Sequence, residues 1–189
     1  MTPDRDIAPR HTDWLYHHLT VTGRPHLLRA FQAASAGAGV IPWELDLDRM
    51  EEDWFHRLVT GQARTLSLEG ARLLAAELRD AVARRHALAV ARVGHSTACP
   101  FDLHALLPVP NAVLRRGPDH PESVDWLWTE WGTTQALRHV VRSQSSAAEG
   151  QAFRVSFWAA DWTPWRALDR IRAAWPGLVF EMQPIYELA

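Results

Sequence analysis

The stretch that decides the fold is FRVSFWA (Phe153–Ala159), followed by DWTPWRALDRIRAAWPG (161–177) and LVFEMQ (178–183). In its first piece Phe153, Val155 and Phe157 alternate with Arg154, Ser156 and Trp158, the period-two pattern of a strand with one apolar face. Thr163 and Pro164 carry the cap-then-proline signature of a helix start. Trp165, Leu168, Ile171 and Trp175 then recur at helical spacing until Pro176-Gly177 ends the run. In the last piece Leu178, Phe180 and Met182 alternate with Val179, Glu181 and Gln183 towards Tyr186. The reading is strand, helix, strand.

Upstream, Gln135–Arg142 is a weaker strand, joined to Phe153 by the polar connection SQSSAAEG (143–150). Pro121 starts a helix with Val124, Leu127, Trp128 and Trp131 on one face and Gly132 at its end. FDLHALLPV (101–109) reads as an extended segment bounded by Pro108 and Pro110. The last ninety residues thus spell β–α–β–β–α–β, the split βαβ order of ferredoxin-like domains. WLYHHLTVT (14–22) offers a second way to build the first half. Leu15, His17, Leu19 and Val21 alternate with Tyr16, His18, Thr20 and Thr22, and Pro25 opens a helix carrying Leu27, Leu28, Phe31 and Ala34. Residues 40–98 are then an insertion. Either version predicts an α+β sandwich, ferredoxin-like, with an antiparallel sheet, helices on one face and an inserted helical segment.

Within the insertion, Leu47, Met50, Trp54 and Leu58 form the stripe of a helix over 46–59. Ser67 caps the next, which places Ala71, Leu74, Leu78, Ala81 and Val82 on one face and Glu69, Arg72, Arg79 and Asp80 on the other. Continuing that helix turns Arg85 and Arg92 onto the apolar side, so it is expected to end near 84–86, with Ala87–Val93 as a strand. The expected organisation is residues 1–98 as strand-helix plus helical insertion, packed on a ferredoxin-like domain of residues 99–189 as one compact unit.

The 189 residues are 47% hydrophobic and 22% charged, enough to build a core of ordinary size and to exclude wholesale disorder. A net charge of -2 argues against nucleic-acid binding by bulk electrostatics, although not against a local patch of arginines. All 20 basic residues are Arg, and there are 10 Trp. MTPDRDIAPR (1–10) lacks the apolar core of a signal peptide, and no apolar run approaches the ~18 residues of a membrane span. With Cys99 as the single cysteine, the expectation is a cytoplasmic chain with no membrane contact.

The chain resembles the YubB-like proteins of phages and plasmids. The resemblance rests on DWLYHHLTVTG (13–23), FDLHALLPVP (101–110), WTEWGT (128–133) and Val155–Tyr186. The matching residues are Val21, Thr22 and Gly23; Pro108 and Pro110; Trp131, Gly132 and Thr133; Trp162 and Pro164; and Phe180, Glu181 and Tyr186. Thr134-Gln135 departs from the Lys-Trp usual after the Trp-Gly-Thr element, and residues 40–98 have no counterpart. The resemblance implies a ferredoxin-like domain and a mobile-element setting, and it supplies no catalytic residues.

No nucleophile elbow, P-loop, dinucleotide fingerprint, HExxH or paired-Cys motif occurs. No cofactor or metal is therefore expected. The favoured function is a non-catalytic binding protein that contacts a protein partner or nucleic acid. Ferredoxin-like sheets can present aromatics for base stacking and arginines for phosphate. Tyr16, His18, Arg154 and Trp158 share a parity that places them on one sheet face if their strands are neighbours. Arg72 and Arg79 offer phosphate contacts on a helix, and Trp162 and Trp126, off the core stripes, offer partner anchors. His17, of opposite parity, reads as a core imidazole. The alternative is a small hydrolytic enzyme, metal- or His/Asp-dependent, built from His95, Cys99, Asp102 and His104.

Overall fold

The computed structural model describes residues 12–60, 66–143 and 152–186. In chain order the elements are β1 (Trp14–Gly23), α1 (Pro25–Ser35), α2 (Leu47–Thr60), α3 (Leu68–Val90), α4 (Leu103–Leu106), α5 (Asn111–Leu114), α6 (Pro121–Glu130), β2 (Arg138–Arg142), β3 (Ala152–Ala160), α7 (Trp165–Ala174) and β4 (Leu178–Ile185). The connection 143–150 lies, from residue 144 onward, outside the described residues. The four strands form one sheet in the order β2-β3-β1-β4, and every neighbouring pair is antiparallel. With α1 following β1 and α7 following β3, this is the split βαβ order.

Its first half is β1–α1, so the long segment between α1 and β2 is the insertion. The extended reading of FDLHALLPV is corrected: Asp102 is an N-cap whose side chain accepts the His104 N–H at 2.9 Å, and Leu103–Leu106 form a short helix. β1 runs between β3 and β4, so residues preceding 98 supply a central strand to the sheet built from those following it.

The strand expected over Ala87–Val93 is also corrected, since α3 continues to Val90. The objection to a longer helix was an arginine turned into a core. However, α3 buries only Ala71 and Ala75, and Arg85 and Arg92 remain exposed. Leu74 and Leu78, expected inside, are likewise exposed, and so is Trp165 on α7.

One face of the sheet carries the core. Leu19 pairs with Val155 and Met182, and Val21 with Phe153 and Phe180, so apolar side chains of one parity stand together beneath α1 and α7. Phe31 of α1 meets Phe153, Phe180 and Trp175 edge-on, at centroid separations of 6.0, 5.2 and 5.4 Å. From α7, Ala167, Leu168 and Ile171 close the layer.

The Trp-Gly-Thr element fastens α6 to this layer. Trp131 is fully buried and its indole N–H donates to the Leu107 carbonyl at 3.1 Å. Gly132 takes the left-handed conformation (φ 77°) that ends the helix. The Thr133 hydroxyl donates to the Ala160 carbonyl at 2.8 Å and accepts the Ala160 N–H at 3.1 Å, fixing the end of β3.

Candidate functional site

The opposite face of the sheet carries the residues of the other parity. β1 contributes Trp14, Tyr16, His18, Thr20 and Thr22. In register across β1 and β3, Tyr16 stands opposite Trp158, His18 opposite Ser156 and Thr20 opposite Arg154. On the far side, His18 faces Gln183 and Thr20 faces Glu181 of β4. From β2, Arg138 aligns with Trp158 and Val141 with Ser156. The sheet therefore brings Tyr16, His18, Arg154 and Trp158 together.

Three of the rings form a continuous group. Tyr16 lies 5.1 Å from Trp158 and 5.1 Å from His18, the latter edge-on. The Arg138 guanidinium stacks over Trp14 at 4.0 Å, a cation–π contact, while its Nη2 donates to Gln135 Oε1 at 3.2 Å. On this face His18, Val141, Val179, Glu181 and Gln183 are exposed, Trp14, Tyr16, Arg154 and Trp158 are half-buried, and Ser156 is buried. The inserted helices α2 and α3 pack chiefly on each other rather than across the sheet. Partly open among the described residues, the face combines the Tyr16, His18 and Trp158 rings and Trp14 under Arg138 with two guanidiniums and one carboxylate, Glu181.

Trp14 and Arg138 were missed from sequence. The signal for Trp14 was its shared parity with Tyr16. Arg138 belonged to a strand too weak to assign a register, and a bulge between Arg138 and Val141 breaks the alternation there.

The other expected sites are placed differently. Arg72 pairs with Glu52 at 2.5 Å and lies 3.7 Å over the Phe55 ring. Arg79 pairs with Glu51 at 2.9 Å and Asp80 at 2.7 Å. Both arginines are thereby engaged by carboxylates, chiefly across the α2–α3 contact, and stand apart from the sheet group. Trp162 is 54% exposed at the turn into α7, whereas Trp126 packs against Trp131 at 6.0 Å and is half-buried.

His17 is fully buried, stacked on Phe157 at 5.2 Å and hydrogen-bonded with the Thr163 hydroxyl at 2.9 Å. Burial lowers its pKa to about 4, so the imidazole is neutral at pH 7.

Of the residues of the hydrolytic alternative, Cys99, Asp102 and His104 bond backbone groups, and His95 is exposed. Buried Asp102 accepts from the Gly39 N–H at 2.8 Å as well as from His104, and Gly37 leaves its carboxylate room that a Cβ would occupy. The Cys99 thiol donates to the Phe101 carbonyl, and burial pushes its pKa up to about 11, away from thiolate chemistry. His104 accepts the Val109 N–H at 3.2 Å through Nδ1, and burial lowers its pKa. Among the described residues no group of three or more His, Cys, Asp or Glu converges as a metal would require.

Comparison with known proteins adds one structure. The fold is similar to the crystal structure of protein api92 from Yersinia pseudotuberculosis, of family DUF1281, with a TM-score of 0.52 at 12% identity over 93% of this chain and 90% of that one. No family model matches the chain, and no curated protein does. At that identity the likeness shows an α+β fold and nothing of activity. No described helix is long and apolar enough to cross a membrane.

Proposed function

We propose that this partly open sheet face binds single-stranded nucleic acid. The observation that carries this reading is the Tyr16–Trp158 ring pair set in register across β1 and β3, extended by His18 and by Trp14 under Arg138. Aromatic rings on a sheet receive base faces irrespective of sequence, each stack being worth about 1–3 kcal/mol. Arg138 and Arg154 supply cations beside the rings, as a phosphodiester needs. The overall charge of -2 makes this a local contact of few phosphates. The order of the Thr-Val-Thr-Gly, Trp-Gly-Thr and Phe-Glu motifs supports kinship with the YubB-like proteins, and with it an accessory role in a mobile element.

The test is fluorescence anisotropy with labelled twelve-nucleotide thymidine and uridine strands across a salt series. Wild-type protein binds, with a log–log salt slope of roughly -1 to -2 for two phosphate contacts. Trp158→Ala and Tyr16→Ala each weaken binding about tenfold or more while melting as wild type does. Arg154→Ala makes the salt slope shallower. Absence of binding by the wild type, or wild-type affinity in both ring variants, overturns the proposal.

A further inference from the structure

Beside the ring group lies a cavity of about 650 Å³, a volume suited to a small organic molecule. Arg138 belongs to both, lining the cavity and stacking on Trp14. Its walls are mixed: Ile41, Trp43, Val90, Leu127 and Leu137 supply apolar surface, and polar side chains from several elements line the rest. Asp161 carries most of the chemistry. One of its oxygens accepts the Asp13 N–H at 3.0 Å, and the other accepts the Thr134 hydroxyl. Each carboxylate oxygen retains a second lone pair. Gln135 beside it accepts from Arg138. His86 donates through Nε2 to the Trp43 carbonyl at 2.7 Å, which leaves Nδ1 as an acceptor in the neutral ring.

Charge narrows the ligand. Asp119 and Asp161 set two carboxylates against the single guanidinium of Arg138, itself already stacked and hydrogen-bonded. Such a site disfavours an anion and favours a neutral ring that donates hydrogens. Among the described residues two non-glycines take a left-handed backbone: Asp161 (φ 65°), in the cavity lining, and His139 (φ 49°), directly after Arg138 in the chain. Backbone held in this region is a cost that surrounding structure must sustain.

Resting on the sheet-face reading, we infer that the cavity receives a base turned out of the bound strand, and that guanine fits it best. The guanine edge presents a ring N–H and an amino group side by side, two donors matched to the two oxygens of Asp161. The apolar part of the walls takes its ring faces, and its phosphate remains outside with Arg138.

The test compares a twelve-thymidine strand with one bearing a single central guanine, and measures free guanosine by calorimetry. Wild type prefers the guanine strand by about tenfold, the discrimination of one good two-donor contact. Ala89→Trp, which fills the cavity from α3, and Asp161→Asn, which suits the left-handed backbone, abolish that preference and keep the affinity for thymidine strands. Equal affinity of wild type for the two strands, or a preference that survives both variants, overturns the inference and leaves the sheet-face reading standing. If neither strand binds, the sheet-face reading fails. Guanosine binding that Ala89→Trp abolishes then still supports the cavity, and no guanosine binding at millimolar concentration overturns it.

Discussion

The sheet layer and the α2–α3 pair are held together by different physics. In the sheet layer, Phe31, Phe153, Phe157 and Trp131 are fully buried or nearly so and touch one another or their neighbours across β1, β3, α1 and α6. In the inserted pair, α2 buries no residue and α3 only Ala71 and Ala75, while Leu73 and Leu88 are more than two-thirds exposed. There Leu47, Met50, Trp54 and Leu58 of α2 are only half-buried, and Arg72 on Glu52 and Phe55 and Arg79 on Glu51 add ion pairs to the contact. Apolar burial contributes in proportion to area and is insensitive to salt, whereas exposed ion pairs contribute little and are screened. One sequence thus carries a densely packed platform and a shallowly buried arm, and the proposed binding face belongs to the platform.

The contrast can be broken most forcefully from the platform. Phe157→Ala removes a ring with no exposure beneath the proposed site and is expected to cost about 3–5 kcal/mol, measured by urea unfolding. A cost below 1 kcal/mol would show that the layer is not close-packed.

His17 gives the next largest effect, through pH. Its pKa is about 4 folded and near 6.5 unfolded, so between those values the unfolded chain binds a proton that the folded chain does not. Stability is therefore full above pH 6.5 and falls as pH drops towards 4, by about 3 kcal/mol. His104, also lowered by burial, adds to the loss in the same direction. Unfolding midpoints measured over this window fall steeply for wild type and less steeply for His17→Gln, which keeps a partner for Thr163. Equal slopes refute the assignment to His17.

Thr133→Val tests the fastening between α6 and β3. It strips both hydrogen bonds from the buried end of β3 and is expected to cost about 1–3 kcal/mol by thermal unfolding. The arm should respond least. Arg72→Ala changes global stability by less than about 1 kcal/mol. Amide exchange in α2 and α3 should nevertheless accelerate, more so at low salt, with β1 and β3 unchanged. Protection lost evenly over the sheet would erase the distinction between platform and arm.

Much of the platform was legible in advance because its signals are local. Alternation in residues 14–22 and 153–159 assigns each side chain to a face without knowledge of any partner. For that reason Tyr16, His18, Arg154 and Trp158 were grouped correctly once β1 and β3 proved adjacent. FDLHALLPV misled because bounding prolines suit a short capped turn as well as an extended segment, and the Asp102 carboxylate caps that turn at the His104 N–H while also accepting from Gly39, 63 residues away. The helix α3 misled because an arginine was assumed to meet a core that the arm does not possess.

By itself, then, the sequence determined the α+β class, the strands and helices of both halves, and the parity that separates apolar from aromatic-and-basic positions on β1 and β3. Tertiary structure alone decided that β1–α1 forms the first half, that carboxylates of α2 occupy Arg72 and Arg79, and that Arg138 links the ring group to the cavity. Periodicity is written within a few residues, whereas strand order, ion-pair partners and cavities depend on segments far apart in the chain. Those contacts are chosen by which arrangement buries the most apolar surface with its polar groups paired.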